Sequence, residues 1–171
     1  GLMLLLGGLL MGLLGPVTGR LFDRVGPRPL MLPASVVIAG VFWLLSTIQL
    51  STPWWLVVAA HMAMSASFAF MFTPLFTIAL GSLPKDLYSH GSAVVGTVQQ
   101  VAGAFGTAVF VTAMASQSAA AQASGTPVEA ALLIGSRVAF LGAGAVWTLA
   151  IIATLFIKKP ELDGDEPAMH H

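Results

Sequence analysis

Residues 54–81 read WWLVVAAHMAMSASFAFMFTPLFTIALG, a run without a single Asp, Glu, Lys or Arg. At ~1.5 Å per helical residue such a run exceeds the ~30 Å of a bilayer's hydrocarbon core. In hydrocarbon every backbone N–H and C=O has to be satisfied inside its own segment, so the run predicts a spanning α-helix rather than strands or loops. Its length allows a tilt, or a break at Pro74, whose ring removes a donor and crowds the preceding turn.

Outward from this segment the pattern repeats. Apolar runs at 2–18, 30–50, 92–116 and 136–157 bring the expected spans to five. The first run starts at Gly1 with no initiator Met and no basic flank, which reads as a truncation. Of the 171 residues 57% are hydrophobic and only 8% charged, against about 25% charged in a soluble domain. The predicted fold class is all-α, a polytopic membrane helix bundle over 1–157, with 158–171 as a cytoplasmic tail. Residues 160–169 are acidic and Pro/Gly-containing, with nothing to bury. The closing Met169-His170-His171 reads as a natural end or a tag remnant, so those histidines enter no metal argument. Seven basic against seven acidic residues leave no field for nucleic acid. The lack of cysteine excludes disulfides, zinc–thiolate sites and cysteine nucleophiles. No metal and no cofactor is expected; the expected partner is the lipid bilayer.

The joints alternate in charge. Arg20, Asp23, Arg24 and Arg28 lie between the first and second spans, Lys85 and Asp86 after the third, and Lys158 and Lys159 after the last. The joints at 51–53 and 117–135 hold no base, and Arg137 sits at the start of the last span. The positive-inside bias then places the C-terminus in the cytoplasm of a multi-pass protein in the inner (plasma) membrane. Trp43, Trp54 and Trp55 fall near span ends, where indole rings favour the headgroup region.

Gly8, Gly12, Gly15 and Gly19 recur along one face of the first helix, a stripe that lets two backbones approach closely in lipid. Pro16 permits a bend there. The joint that follows, Gly19-Arg20-Leu21-Phe22-Asp23-Arg24-Val25-Gly26-Pro27-Arg28, has to turn tightly, and Gly19 and Gly26 can both take positive φ. Asp23 can accept backbone N–H groups at a helix start, while Arg24 and Arg28 can reach carboxylates or lipid phosphates. A plain cytoplasmic turn and a working loop both fit these residues.

That segment resembles the G-x-x-x-D-R-x-G-R-R loop of the major facilitator superfamily, with Gly19, Asp23, Arg24, Gly26 and Arg28 in the matching positions. Pro27 stands where a basic residue is usual, which favours the looser second-half copy of the loop and weakens one ion pair. The resemblance implies a cytoplasmic latch that holds helices together in one access state. A second likeness lies in the fourth span: residues 92–108, preceded by 79–84, are similar to a stretch of the fourteen-span drug:proton antiporters of that superfamily, read roughly as G-x-x-x-x-x-x-x-x-Q-x-x-G-x-x-G. Together they imply the C-terminal half of such a transporter lacking its first helix. Also implied are an N-terminal half outside this chain, alternating access, and proton-coupled export of a lipophilic or cationic small molecule.

Several side chains are candidates for that work. Gly96, Gln99, Gly103 and Gly106 share one helical stripe, with Gln100 and Thr107 beside it. An amide in mid-membrane is costly without partners, so Gln99 and Gln100 face substrate or tie helices together. Phe68, Met71 and Phe72 offer a polarizable, aromatic wall for varied apolar or cationic ligands, and serve equally as lipid-facing filler. His61 is a candidate for proton handling, or a neutral hydrogen-bonded histidine. No Asp or Glu falls inside any expected span, which puts the acid of any proton coupling outside this chain. Neither H-E-x-x-H nor a Gly-x-Ser-x-Gly elbow occurs, so enzyme chemistry is not expected. A metabolite carrier of the same superfamily and a non-transporting structural subunit remain as rival readings.

Overall fold

The computed structural model describes residues 1–157, without the side chain of Leu2; the expected tail at 158–171, with Lys158 and Lys159, lies outside them. Five α-helices follow one another: α1 (Leu2–Val25), α2 (Arg28–Leu45), α3 (Trp54–Gly81), α4 (Tyr88–Ala123) and α5 (Val128–Leu155), with a 3-10 turn at Lys85–Leu87 before α4. All five are long and apolar enough to cross a membrane. The all-α membrane bundle is the fold.

Where elements end follows from local chemistry, and several ends differ from expectation. No Gly or Pro interrupts 20–25, so α1 runs on to Val25 until Gly26 and Pro27 stop it. Gly26 has φ 79 and its N–H donates to the Phe22 carbonyl at 2.8 Å, closing the helix. Gly19 is helical and needs no positive φ; Asp23 lies in the last turn of α1, not at a helix start. The expected open loop over 19–28 is thus helix on both sides of Gly26-Pro27. Ser46 and Thr47 end α2, their hydroxyls donating to the Trp43 and Leu44 carbonyls at 2.6 and 2.7 Å in competition with further helix. α3 passes through Pro74 without a break, and α1 through Pro16. The Ala-rich stretch 117–123 extends α4, alanine being the strongest helix former, and α5 starts right after Pro127. The expected joint at 117–135 shrinks to 124–127, and Arg137 falls well inside α5.

The helices pack side by side in the order α1, α3, α2, α5, α4, with α3 touching α4 only slightly. Met31, Ala34 and Ile38 of α2 and Met71 of α3 form the main core cluster, against which Phe68 and Trp147 pack. A second cluster, Val41, Leu45 and Ala60, receives Phe140. α4 is the least enclosed helix, with only Ser118 buried.

Small residues set the closest approaches, though not the expected ones. A Cβ at Gly7 would lie 2.6 Å from His61 Nε2 and from Ser65 Oγ, and one at Gly135 would collide with the Met114 carbonyl. Gly142 faces Phe110 and Gly144 faces Trp43. Among the described residues nothing lies within 4 Å of a Cβ placed at Gly8, Gly12, Gly15, Gly19, Gly96, Gly103 or Gly106. These glycines therefore pack no helix of the described chain. The reason is rotational phase: α1 buries Gly7, Thr18 and Phe22, and the stripe begun at Gly8 is turned about 100° from that face.

α2 and α5 are tied at both ends. Arg28, at the start of α2, donates from Nε to the Ile157 carbonyl at 2.6 Å, and Arg137 of α5 donates from Nε to the Ser46 carbonyl at 2.9 Å. Each guanidinium meets the C-terminal end of the antiparallel helix, where carbonyls lack intrahelical donors and the macrodipole is negative. Between them the Trp43 Nε1–H donates to Thr148 Oγ1 at 3.2 Å. The Ser46 contact accounts for the base at the otherwise neutral end, and Trp43, itself exposed, gives its N–H to α5.

Candidate functional site: the cleft between α3 and α4

Because α4 meets α5 through Phe110, Met114 and Ser118, in its second half, its first half is free to stand away from α3. The gap is a cavity of about 330 Å³ lined by Phe72, Leu75, Phe76 and Ala79 of α3 and by Val94, Val95, Val98 and Gln99 of α4. Seven of these eight side chains are hydrocarbon or aromatic; Gln99 alone brings a donor and an acceptor. An apolar ligand gains about 25 cal/mol per Å² of surface buried in such a wall, and one amide fixes orientation without demanding one particular substrate.

The candidates from sequence separate here. Phe72 and Gln99 meet across the cleft. Phe68 stands behind Phe72, ring centroids 5.6 Å apart, and also packs on Trp147 at 5.9 Å, so it supports the wall from the core side. Met71 is 6% exposed among Met31, Ala34 and Ile38, a core residue rather than a cavity liner. Gln100 is exposed on α4 and does not line the cleft. His61 lies near the other end of α3, against Gly7 of α1, and does not join the cleft.

A second cavity of about 220 Å³ lies between α2, α4 and α5, walled by Phe42, Phe110, Phe140, Trp147 and small residues of α5. These aromatics were not singled out from sequence. Phe140 and Trp147 are seven apart and so share a helix face, a spacing that could have flagged them. The acids of the described residues sit at element ends: Asp23 in the last turn of α1, Asp86 in the 3-10 turn, Glu129 in the first turn of α5. No group of His, Asp and Glu able to hold a metal occurs among the described residues.

Comparison with known sequences identifies the family. Residues 1–107 match the family profile of the Major Facilitator Superfamily. The chain belongs to the major facilitator superfamily. Among similar facilitators, the lincomycin resistance protein LmrB of Bacillus subtilis (strain 168) is 35% identical over 169 residues, 95% of this chain and 35% of that protein. The protein of the same name from Listeria innocua serovar 6a (strain ATCC BAA-680 / CLIP 11262) is 38% identical over 164 residues, 93% of this chain and 35% of its own length. An uncharacterized MFS-type transporter of Bacillus subtilis (strain 168), YcnB, is 33% identical over 168 residues, covering 97% and 35% respectively. This facilitator chain thus spans about a third of the length of the curated relatives it matches. No solved structure matches.

Proposed function

We propose that this facilitator chain is part of the C-terminal bundle of a multidrug exporter that works by alternating access and is driven by protons. The α3–α4 cleft carries the reading: an apolar, aromatic wall with one amide, Gln99, suits lipophilic or cationic molecules of varied shape and offers no charged, convergent set for a metabolite. The lincomycin resistance named for the relatives supports the same direction. The N-terminal bundle supplies the opposing wall and the proton-carrying acid, since the described helices keep their carboxylates at their ends. The joint at Gly26-Pro27, with Asp23, Arg24 and Arg28 around it, is the latch on the cytoplasmic side; the positive-inside bias puts that end, and the C-terminus, in the cytoplasm of the plasma membrane. Gly8, Gly12, Gly15, Gly96, Gly103 and Gly106, unpacked within the described chain, are available to helices of the N-terminal half.

Inverted vesicles containing the full-length protein, given a proton gradient and lincomycin, test this. Accumulation that a protonophore abolishes is the expected result. Accumulation indifferent to the gradient removes the proton coupling, and none with lincomycin or any lipophilic cation removes the exporter.

A further inference from the structure

The strongest unassigned feature lies on a face of α1 that no other described helix covers. This helix has 24 residues, about 36 Å at 1.5 Å per residue, longer than the ~30 Å of hydrocarbon. Its charges, Arg20, Asp23 and Arg24, all fall near its last turns, so that end reaches headgroup depth. Arg20 and Arg24 are four residues apart and share a face; with Val17 and Leu21 they line a groove of about 310 Å³, to which Asp23 does not contribute. Among the described residues neither arginine has a hydrogen-bond acceptor, whereas Arg28 and Arg137 each hold a carbonyl. Back along the helix, Val17, Leu13, Leu9 and Leu6 follow at steps of three and four residues, and all are exposed. Within the described chain a pair of cations near the helix end therefore opens directly onto an exposed aliphatic track.

We propose that this face binds an anionic phospholipid, its phosphate held between the Arg20 and Arg24 guanidinium groups and one acyl chain laid along Val17, Leu13 and Leu9. Guanidinium groups match phosphate oxygens in a bidentate fork, and the negative headgroup complements the pair where bases near an anionic leaflet gain most. An acidic protein segment could answer the charges alone; a lipid also answers the track, because charge and chain are joined in one molecule as they are on α1. The proposal rests on the membrane-spanning reading and not on the substrate, so its failure leaves the exporter standing.

The test is native mass spectrometry of the detergent-solubilised full-length protein titrated with phosphatidylglycerol or phosphatidylcholine of the same chains. The wild type is expected to retain phosphatidylglycerol preferentially. Arg20→Gln/Arg24→Gln is expected to bind it about thirtyfold more weakly, and Arg20→Gln alone about fivefold. Arg20→Lys/Arg24→Lys, which keeps the charge but not the bidentate fork, is expected to bind between the wild type and the Gln pair and so separates lost charge from lost fold. Glycerol phosphate at the same concentration is expected not to compete. Equal retention of the two lipids overturns the site, as does undiminished binding by the Gln variants. Competition by glycerol phosphate shows an anion site without the acyl track and overturns it too. So does exclusion of lipid by an acidic segment of the protein itself.

Discussion

Gly7 and Gly8 are neighbours on α1 with opposite surroundings. A Cβ at Gly7 meets His61 Nε2 and Ser65 Oγ at 2.6 Å, while one at Gly8 meets nothing. Overpacking of this kind costs about 1–3 kcal/mol, so Gly7→Ala is expected to lower the thermal midpoint of the full-length protein by several degrees. Gly8→Ala, gaining helix propensity in open space, is expected to leave it level or slightly higher; equal losses would contradict the α1–α3 packing. The same contrast holds across the cleft. Under the proposed exporter function, Gln99→Ala is expected to reduce efflux of a transported drug severalfold and Gln100→Ala to change it little, as initial rates in energised vesicles would show. Sequence gave the pair of amides and the glycine stripes but not their phase, because a motif records spacing along one helix while burial depends on where its neighbours stand. Met71 shows the same limit: Met and Phe at adjacent positions read alike, and only the packing of α2 sends Met71 into the core and Phe72 into the cleft.

At the scale of helices, the spans were legible because hydrocarbon thickness and backbone satisfaction leave few alternatives to a long apolar helix. The ends of α3 were legible as well, at 54 and 81, but most others were not, since helix continues past the apolar run wherever no breaker intervenes, as through 20–25 and 117–123. Lateral contacts such as the Arg28–Ile157 and Arg137–Ser46 bonds join residues far apart in the chain, and no local pattern announces them. A hydrogen bond from a charged donor contributes about 1.5–3 kcal/mol when sheltered; for these largely exposed arginines about 1 kcal/mol is the expected share. Arg137→Ala should therefore lower the midpoint by a few degrees. Arg137→Gln, which keeps an N–H donor, should recover part of the loss, and a full-sized loss for it would mean that charge at the α2 terminus matters more than the bond.

For the whole molecule, the side-by-side order α1, α3, α2, α5, α4 leaves α2, the most enclosed helix, at the centre between α3 and α5, and the sparsely buried α1 and α4 at the flanks. In the proposed exporter the tied α2–α5 pair would serve as the frame, and the α3–α4 gap, with Gln99 in its wall, as the side that meets substrate. Family membership was legible from residues 19–28 although that segment is mostly helix rather than loop, because the match depends on residue identities and not on their secondary structure. The most direct test places a single cysteine at Val98, in the cleft wall, in an otherwise cysteine-free full-length protein, with Val111→Cys, exposed on α4 outside the cleft, as control. Alkylation by a membrane-permeant maleimide is then followed with and without lincomycin. If the cleft holds substrate, lincomycin slows alkylation at position 98 severalfold and not at 111; an unchanged rate at 98 in protein that still transports lincomycin would contradict the account.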